Sequence, residues 1–204
     1  GEVRAIFIPP NSLPTTPFPV QTLTSNRGEI TALAWSPDGE YMVSGHDNGS
    51  LCLWTPQRSS IVDPIDCLNA AHESTITDLT WNIDDALFQF ASSSRDTQIK
   101  LWTVNTDDST IVEDAAPLVE HNNPVNSINW HPSEQRFVSA SQDDGRLFIW
   151  EADNLLEESP SRRASNQPIK ARWHPSGRYI AAIDNLNSNT IRIFDGNGGL
   201  EPVV

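Results

Sequence analysis

Positive charge is scarce in this sequence: 13 Lys and Arg stand against 27 Asp and Glu, a formal net charge of −14. Phosphate backbones and anionic lipid surfaces are bound through clustered cations, so direct nucleic-acid or membrane binding is not expected. The charge suits solubility and partners that are basic. Long apolar runs are missing too. No stretch approaches the about 18 consecutive apolar residues of a membrane span, and "VRAIFIPP" near the start is too short, and wrongly flanked, for a signal peptide. Cysteine is down to Cys52 and Cys67, too few for a disulfide scaffold or a Cys-rich zinc site. A bridge across one hairpin is conceivable. The favoured reading is two free, half-buried thiols in a reducing compartment, hence an intracellular site, cytoplasmic or nuclear. The one methionine is Met42 and the chain opens on Gly1, which predicts a piece of something longer or a processed chain.

Tryptophan, by contrast, is regularly placed. One aromatic series, Trp54, Trp102, Trp150 and Phe194, has spacings of 48, 48 and 44 residues. A second, Trp35, Trp81, Trp130 and Trp173, precedes it by 19, 21, 20 and 21 residues. Two registers recurring together four times mark an internal repeat. Each repeat reads as strands. "ITALAW", "ITDLTW", "VNSINW" and "IKARW" are rich in β-branched and aromatic residues, and each runs into turn chemistry: "SPDG", "NIDD", "HPSE" and "HPSG". "EYMVSG", "FQFASSS", "RFVSAS" and "RYIAAI" follow, and the third strands "SLCLW", "QIKLW", "RLFIW" and "TIRIF" close on the aromatic. Several carry apolar residues on both faces, which predicts sheets covered on both sides. Nothing has the pattern of a capped amphipathic helix, so the fold class is all-β.

This pattern resembles the WD-repeat (tryptophan–aspartate) β-propeller family, whose repeats of about 40 to 45 residues each build a four-stranded blade. The resemblance covers roughly residues 25 to 195. It implies an N-terminal extended segment over 1–24, a candidate strand of a preceding blade, and four antiparallel blades over 25–70, 71–119, 120–164 and 165–204, the last with the start of a further strand. The family places a Gly-His pair before the innermost strand, matched by Ala71-His72 and Glu120-His121, and Ser-x-Asp before the closing Trp. The resemblance implies that these side chains form a hydrogen-bonded chain within each blade. Carried over, the second repeat offers His72, Ser94, Asp96 and Trp102; the third offers His121, Ser141, Asp143 or Asp144, and Trp150. A buried indole N–H and a buried hydroxyl each need a partner, and His with Asp supplies the acceptors. The first repeat departs, with Asn26 near the histidine position, His46 at the serine position and Asn48 at the aspartate position. The fourth has Phe194 in place of Trp.

Rings of this family usually carry seven or eight blades. Four would leave two apolar faces bare, and at roughly 400 Å² each, exposure of a face forfeits on the order of 10 kcal/mol. That rivals the about 5–15 kcal/mol of a whole domain. Further blades from the same chain, another copy or another chain are therefore expected to complete a ring.

No nucleophile–base pair stands out. His72 and His121 match blade positions, His131 and His174 precede proline in inner turns, and His46 lies at a hairpin rim. No histidine pair has the i,i+4 spacing of a helical zinc site, and "SQDDG" brings only two carboxylates where calcium needs several oxygens. Neither Lys nor a helix follows the glycines of "DGNGG". The expectation is a non-enzymatic scaffold with no catalytic residue, cofactor or metal. "SRRAS" resembles a basophilic-kinase substrate, which makes Ser165 a candidate phosphorylation site gaining nearly two negative charges beside Arg162 and Arg163.

Family members commonly bind partners on the face carrying the loop before the innermost strand and the middle hairpin. On that face the resemblance places Arg27, Glu29, Asp47, Glu73, Thr75, Arg95, Asn123, Gln142 and Gln167. Arg95 leads, because arginine is enriched at interface hot spots. Acidic charge gathers in "VNTDDSTIVEDAAPLVE" and "EADNLLEES" after closing strands, a solubilising rim or a dock for a basic segment. Two other readings share the fold. A cullin-type ubiquitin-ligase receptor would carry Arg two residues after the closing Trp-Asp, where Gln57, Asn105, Asp153 and Asn197 stand here. A nuclear corepressor subunit is the other, since the inner turns resemble those of transducin-β-like proteins.

Overall fold

The computed structural model describes residues 2–6, 20–56, 63–84, 87–114, 116–141, 143, 145–151, 162–163, 168–184 and 190–196. These residues form seventeen strands and no helix. A two-stranded ribbon pairs β1 (Glu2–Ile6) with β2 (Val20–Thr24). The first four-stranded sheet joins β3 (Ile30–Trp35), β4 (Met42–His46), β5 (Leu51–Trp54) and β6 (Asp66–Leu68) in that order. The second joins β7 (Ile76–Trp81), β8 (Gln89–Ser94), β9 (Ile99–Asn105) and β10 (Thr110–Glu113). β11 (Ser127–Trp130), β12 (Arg136–Ser141), β13 (Arg146–Glu151) and β14 (Arg162–Arg163) make the third. The fourth has three strands among the described residues, β15 (Pro168–Trp173), β16 (Tyr179–Asp184) and β17 (Ile191–Asp195). All pairings are antiparallel between chain neighbours, the blade architecture that the aromatic registers imply.

Second strands such as "MVSGH" and "FASSS" are built of small residues and are buried almost throughout, because a blade is covered on both faces. On the side facing the next blade, Val43, Leu51 and Leu53 meet Ile76, Leu79, Trp81, Phe90 and Trp102. Ala91, Ile99 and Leu101 meet Ile128, Trp130 and Phe137 in the same way, and Val138, Ala140 and Leu147 meet Ala171, Trp173 and Phe194. The fit is close: a Cβ on Gly45 would lie 2.4 Å from Ile76 Cγ2. Among the described residues no such cluster joins the fourth sheet to the first.

Side chains of the inner strands stitch each blade to the next. The Thr31 hydroxyl donates to the Ile76 carbonyl at 2.6 Å, and Thr77, one repeat on, donates to the Val125 carbonyl. Asp78 and Thr80 accept from the backbone N–H groups of Ile128 and Trp130, and Ser127 and Asn129 do so for Ala171 and Trp173. These bonds satisfy inner-strand donors that have no ladder partner on that edge. Arg172 reaches back to Asp78 at 3.0 Å, tying the fourth blade to the second.

Cys52 and Cys67 are not free thiols. They lie opposite each other on β5 and β6 and form a disulfide, with Cα atoms 4.2 Å apart. Cysteine count argued for a reduced pair, but cross-strand register decides, and β6 is only three residues long.

Candidate functional site

The hydrogen-bonded chain inside the second and third blades is centred on a different serine from the expected one. In the second blade Trp102 Nε1 donates to Ser92 Oγ at 2.8 Å, Ser92 meets His72 Nε2 at 2.6 Å, and His72 Nδ1 lies 2.9 Å from Asp96 Oδ2. Ser94 instead donates to the Ser74 carbonyl and accepts from the Asp96 N–H, holding the hairpin. The third blade repeats this, with Ser139 between Trp150 and His121 at 2.8 and 2.7 Å, while Ser141 lies 3.5 Å from the Asn123 carbonyl. Asp143 is exposed, and Asp144 lies outside the described residues. In the first blade His46 does not replace a serine. From β4 it supplies the imidazole, Ser44 joining it to Trp54 at 3.1 and 2.9 Å, while its Nδ1 faces the Gly28 carbonyl at 3.4 Å.

Asp96 and Ser94 thus fix the hairpins from which the candidate partner residues project. Thr97 has φ 77° where the first and third hairpins use Gly49 and Gly145, at φ 80° and 67°. A β-branched residue is unusual in that conformation, and the hairpin is held by Asp96, which accepts from the N–H groups of Gln98 and Glu73.

The loop residues of the first two blades come together in one continuous row. Glu29 and Asp47 exchange two hydrogen bonds of 2.9 Å, the Asp47 N–H to the Glu29 carbonyl and the Glu29 N–H to Asp47 Oδ1. The Thr75 hydroxyl donates to the Asp47 carbonyl, and the Arg95 N–H donates to the Thr75 carbonyl, each at 2.9 Å. The Val125 N–H donates to the Ser94 carbonyl, carrying the row into the third blade. Arg27, Glu29, Asp47, Glu73 and Arg95 are exposed, and Thr75 and Asn123 half-buried. Arg27 is held by Asn69, whereas the Arg95 guanidinium has no hydrogen bond or ion pair among the described residues. Gln142, Ser165 and Gln167 lie outside the described residues.

The acidic rim is partly committed to the fold. Glu113 pairs with Lys100 at 3.2 Å, Asp114 accepts from Gln89, and Asp108 caps its own turn at Thr110. Sequence reading missed Asp66, whose carboxylate accepts from the Ile111 N–H at 2.8 Å and so covers part of the open edge of the next blade's outer strand. "EADNLLEES" falls beyond Glu151 outside the described residues.

The family model "WD domain, G-beta repeat" matches residues 17–55, 64–103 and 115–151, more than half of the chain. The chain belongs to the WD-repeat family. Its relatives include Protein HIR1 of Kluyveromyces lactis, 25% identical over 210 residues that span 91% of this chain and 24% of the relative. Protein hir1 of Schizosaccharomyces pombe is 24% identical over 190 residues, 81% of this chain and 19% of the relative. The WD-repeat chain thus spans about a quarter or less of the length of these relatives. Among solved structures, a chain of a mitotic checkpoint complex superposes with a TM-score of 0.73 at 18% identity, covering 91% of this chain and 55% of that one. U3-55K superposes with a TM-score of 0.69 at 14% identity, covering 85% and 50%. Both show the propeller-blade fold.

Two groups of the WD-repeat fold, His46 and Asp96, are expected to set its acid response. Burial lowers the His46 pKa from 6.5, only partly offset by the Gly28 carbonyl. Burial alone would raise Asp96, but the hydrogen bond and charge of His72, with the N–H groups of Gln98 and Glu73, bring it from 3.8 down to about 2. Both folded pKa values lie below the unfolded ones, so each group stabilises the fold above its unfolded pKa and loses that contribution as pH falls. Thermal midpoints are expected to drop first as pH falls below 6.5 and again between about 4 and 2. His46→Gln should remove the first step and leave the second; an unchanged profile in that variant would contradict the assignment.

Proposed function

We propose that this WD-repeat chain is a non-enzymatic scaffold that presents its propeller-face loops to peptides or domains of other proteins within a multiprotein complex. The observation that carries the reading is the row Glu29–Asp47–Thr75–Arg95, fixed by backbone and side-chain hydrogen bonds and ending on an exposed guanidinium with no partner of its own among the described residues. A pre-organised loop surface loses little entropy when a partner binds. Arg95 anchors the partner through a carboxylate or carbonyl group, with Arg27, Glu29, Asp47, Glu73, Thr75 and Asn123 as further contact residues on the loops of this face; Gln142 and Gln167 remain candidates from the sequence alone. The described histidines act on protein groups: His72, His121 and His46 on blade serines, His131 on the Gly177 carbonyl, and His174 on the Ser176 hydroxyl. An intracellular site, cytoplasmic or nuclear, suits such a scaffold, although the Cys52–Cys67 disulfide removes the reduced-thiol ground for it.

The test is affinity purification with mass spectrometry, using wild type and Arg95→Glu. A hot-spot arginine is worth about 2 kcal/mol or more, so at least one partner should fall by roughly 30-fold in affinity. Identical partner sets and affinities would overturn the role of Arg95. The identity of the lost partners decides between a general scaffold and the ubiquitin-ligase or nuclear corepressor readings.

A further inference from the structure

One backbone bond closes the turn between the first and second strands in each of the four blades. In three of them the N–H of the residue after the inner tryptophan donates to a carbonyl five residues on: Ser36 to Tyr41, His131 to Arg136 and His174 to Tyr179. In the second blade the same bond runs from Asn82 to Gln89, seven residues on. Two extra residues therefore enter this turn, and its character changes with them. The other turns, residues 37–40, 132–135 and 175–178, are each a proline followed by polar residues or glycine. The second blade instead shows solvent Ile83 and Leu87, 45% and 44% exposed.

A lone exposed apolar side chain is ordinary on a protein surface. Two in one insertion are less so, and this turn is held from both sides. Phe88, at φ 45°, packs edge-on against Tyr41 of the first blade, with ring centroids 6.0 Å apart. Asn82 Nδ2 donates to Gln135 Oε1 on the third-blade turn at 2.6 Å, and its Oδ1 accepts from the Asp84 N–H at 3.1 Å. The Leu87 N–H donates to the Asp84 carbonyl at 3.1 Å, drawing the two arms of the turn together. Ile83 and Leu87 thus project from a backbone already fixed, which lowers the ordering cost of binding.

Charge around the pair is of one sign. Asp84, Asp38 and Glu40 on the first-blade turn, and Glu134 on the third, are all exposed. Arg136 is the one Lys or Arg among the described residues of these three turns. Its Nε pairs with Glu134 at 2.7 Å, and its guanidinium lies over the Trp173 ring. This face is also opposite the one that carries Arg95. β8 runs from Gln89 at the turn to Ser94 at the hairpin, a strand length of about 17 Å.

We propose that Ile83, Asp84 and Leu87 form a second docking site, for a basic segment of a partner protein that bears two apolar side chains. The apolar pair covers Ile83 and Leu87, and Lys or Arg beside it meets the carboxylates of Asp84, Asp38, Glu40 and Glu134. Charge decides the class of occupant. An acidic or neutral segment would bury the same apolar area against unpaired carboxylates. The site goes beyond the scaffold reading, since it uses neither Arg95 nor its face, and both faces can be occupied at once.

The probe is a displayed library of random short peptides, selected on the wild-type chain and counter-selected on Ile83→Ser/Leu87→Ser. Counter-selection removes binders of other apolar surfaces, such as the exposed Leu33 and Ile191. Enriched peptides should join two apolar residues to Lys or Arg, and bind the double variant roughly tenfold or more weakly. Their binding should weaken as salt rises. Asp84→Lys, which keeps both apolar side chains, should weaken them too. Arg95→Glu should hold them as wild type does, so the two sites can fail separately. The thermal midpoint of the double variant should match wild type, because only exposed side chains change. The proposal is overturned if no peptide prefers the wild type, or if the preferred peptides are acidic or lack the apolar pair. Equal binding to Asp84→Lys, or loss of binding in Arg95→Glu, also overturns it.

Discussion

Replacing Ser92 with alanine is expected to lower stability by about 2–6 kcal/mol, since it leaves the buried Trp102 indole and His72 Nε2 without partners at about 1–3 kcal/mol each. Ser94→Ala, by contrast, removes a hairpin bond to the Ser74 carbonyl and one from the Asp96 N–H, and should cost about 1 kcal/mol. The fourth blade shows why the order is this way round. Ile180 pairs with Phe194 as Phe90 pairs with Trp102, which places Ala182 where Ser92 stands. That blade lacks both the indole donor and the hydroxyl, and its Phe194 and Ala182 are buried without an orphan polar atom. Losing both partners together is far cheaper than losing one. Adding Trp102→Phe to Ser92→Ala should therefore cost less than the sum of the two single changes. Urea unfolding of the four chains measures all of this, and a Ser94→Ala loss larger than that of Ser92→Ala would refute the assignment.

Much of the fold was legible because tryptophan marks the sheet twice per repeat. Trp81 ends an inner strand and Trp102 lies in the middle of the third, and both are buried where consecutive blades stack. The central serine was not legible. Ser92, Ser93 and Ser94 are consecutive and all buried, so neither composition nor exposure separates them. Register does, because the Trp102 ring starts opposite Phe90 and reaches the next residue on that face. Ser94 lies about 7 Å farther along the strand. His46 was visible as an oddity, but its meaning depends on a side chain entering from β4 and not from the preceding loop. Arg95 could be placed on a loop from sequence, since turn residues announce themselves. What binds it is another matter, because a partner's chemistry leaves no mark on this chain's own packing.

Opening the Cys52–Cys67 bridge should cost about 3 kcal/mol, the chain-entropy value for a loop of some 15 residues. The bridge fastens the three-residue strand β6 to β5, and β6 carries Asp66, whose carboxylate accepts from the Ile111 N–H of the second blade. Reduction thus acts at two ranges. It frees unfolded-state conformations across residues 52–67, and it loosens one contact between blades. Dithiothreitol should lower the thermal midpoint and speed exchange at the Ile111 amide, while Ile99 and Leu118, joined by their own bridge in the same blade, hold their protection. A Cys52→Ala/Cys67→Ala chain should show the lowered midpoint with or without reductant. Alkylation of the folded chain before reduction should label neither cysteine. If both are labelled and reductant leaves the midpoint where it was, the thiols are free, and Asp66 must be held by β-ladder pairing alone.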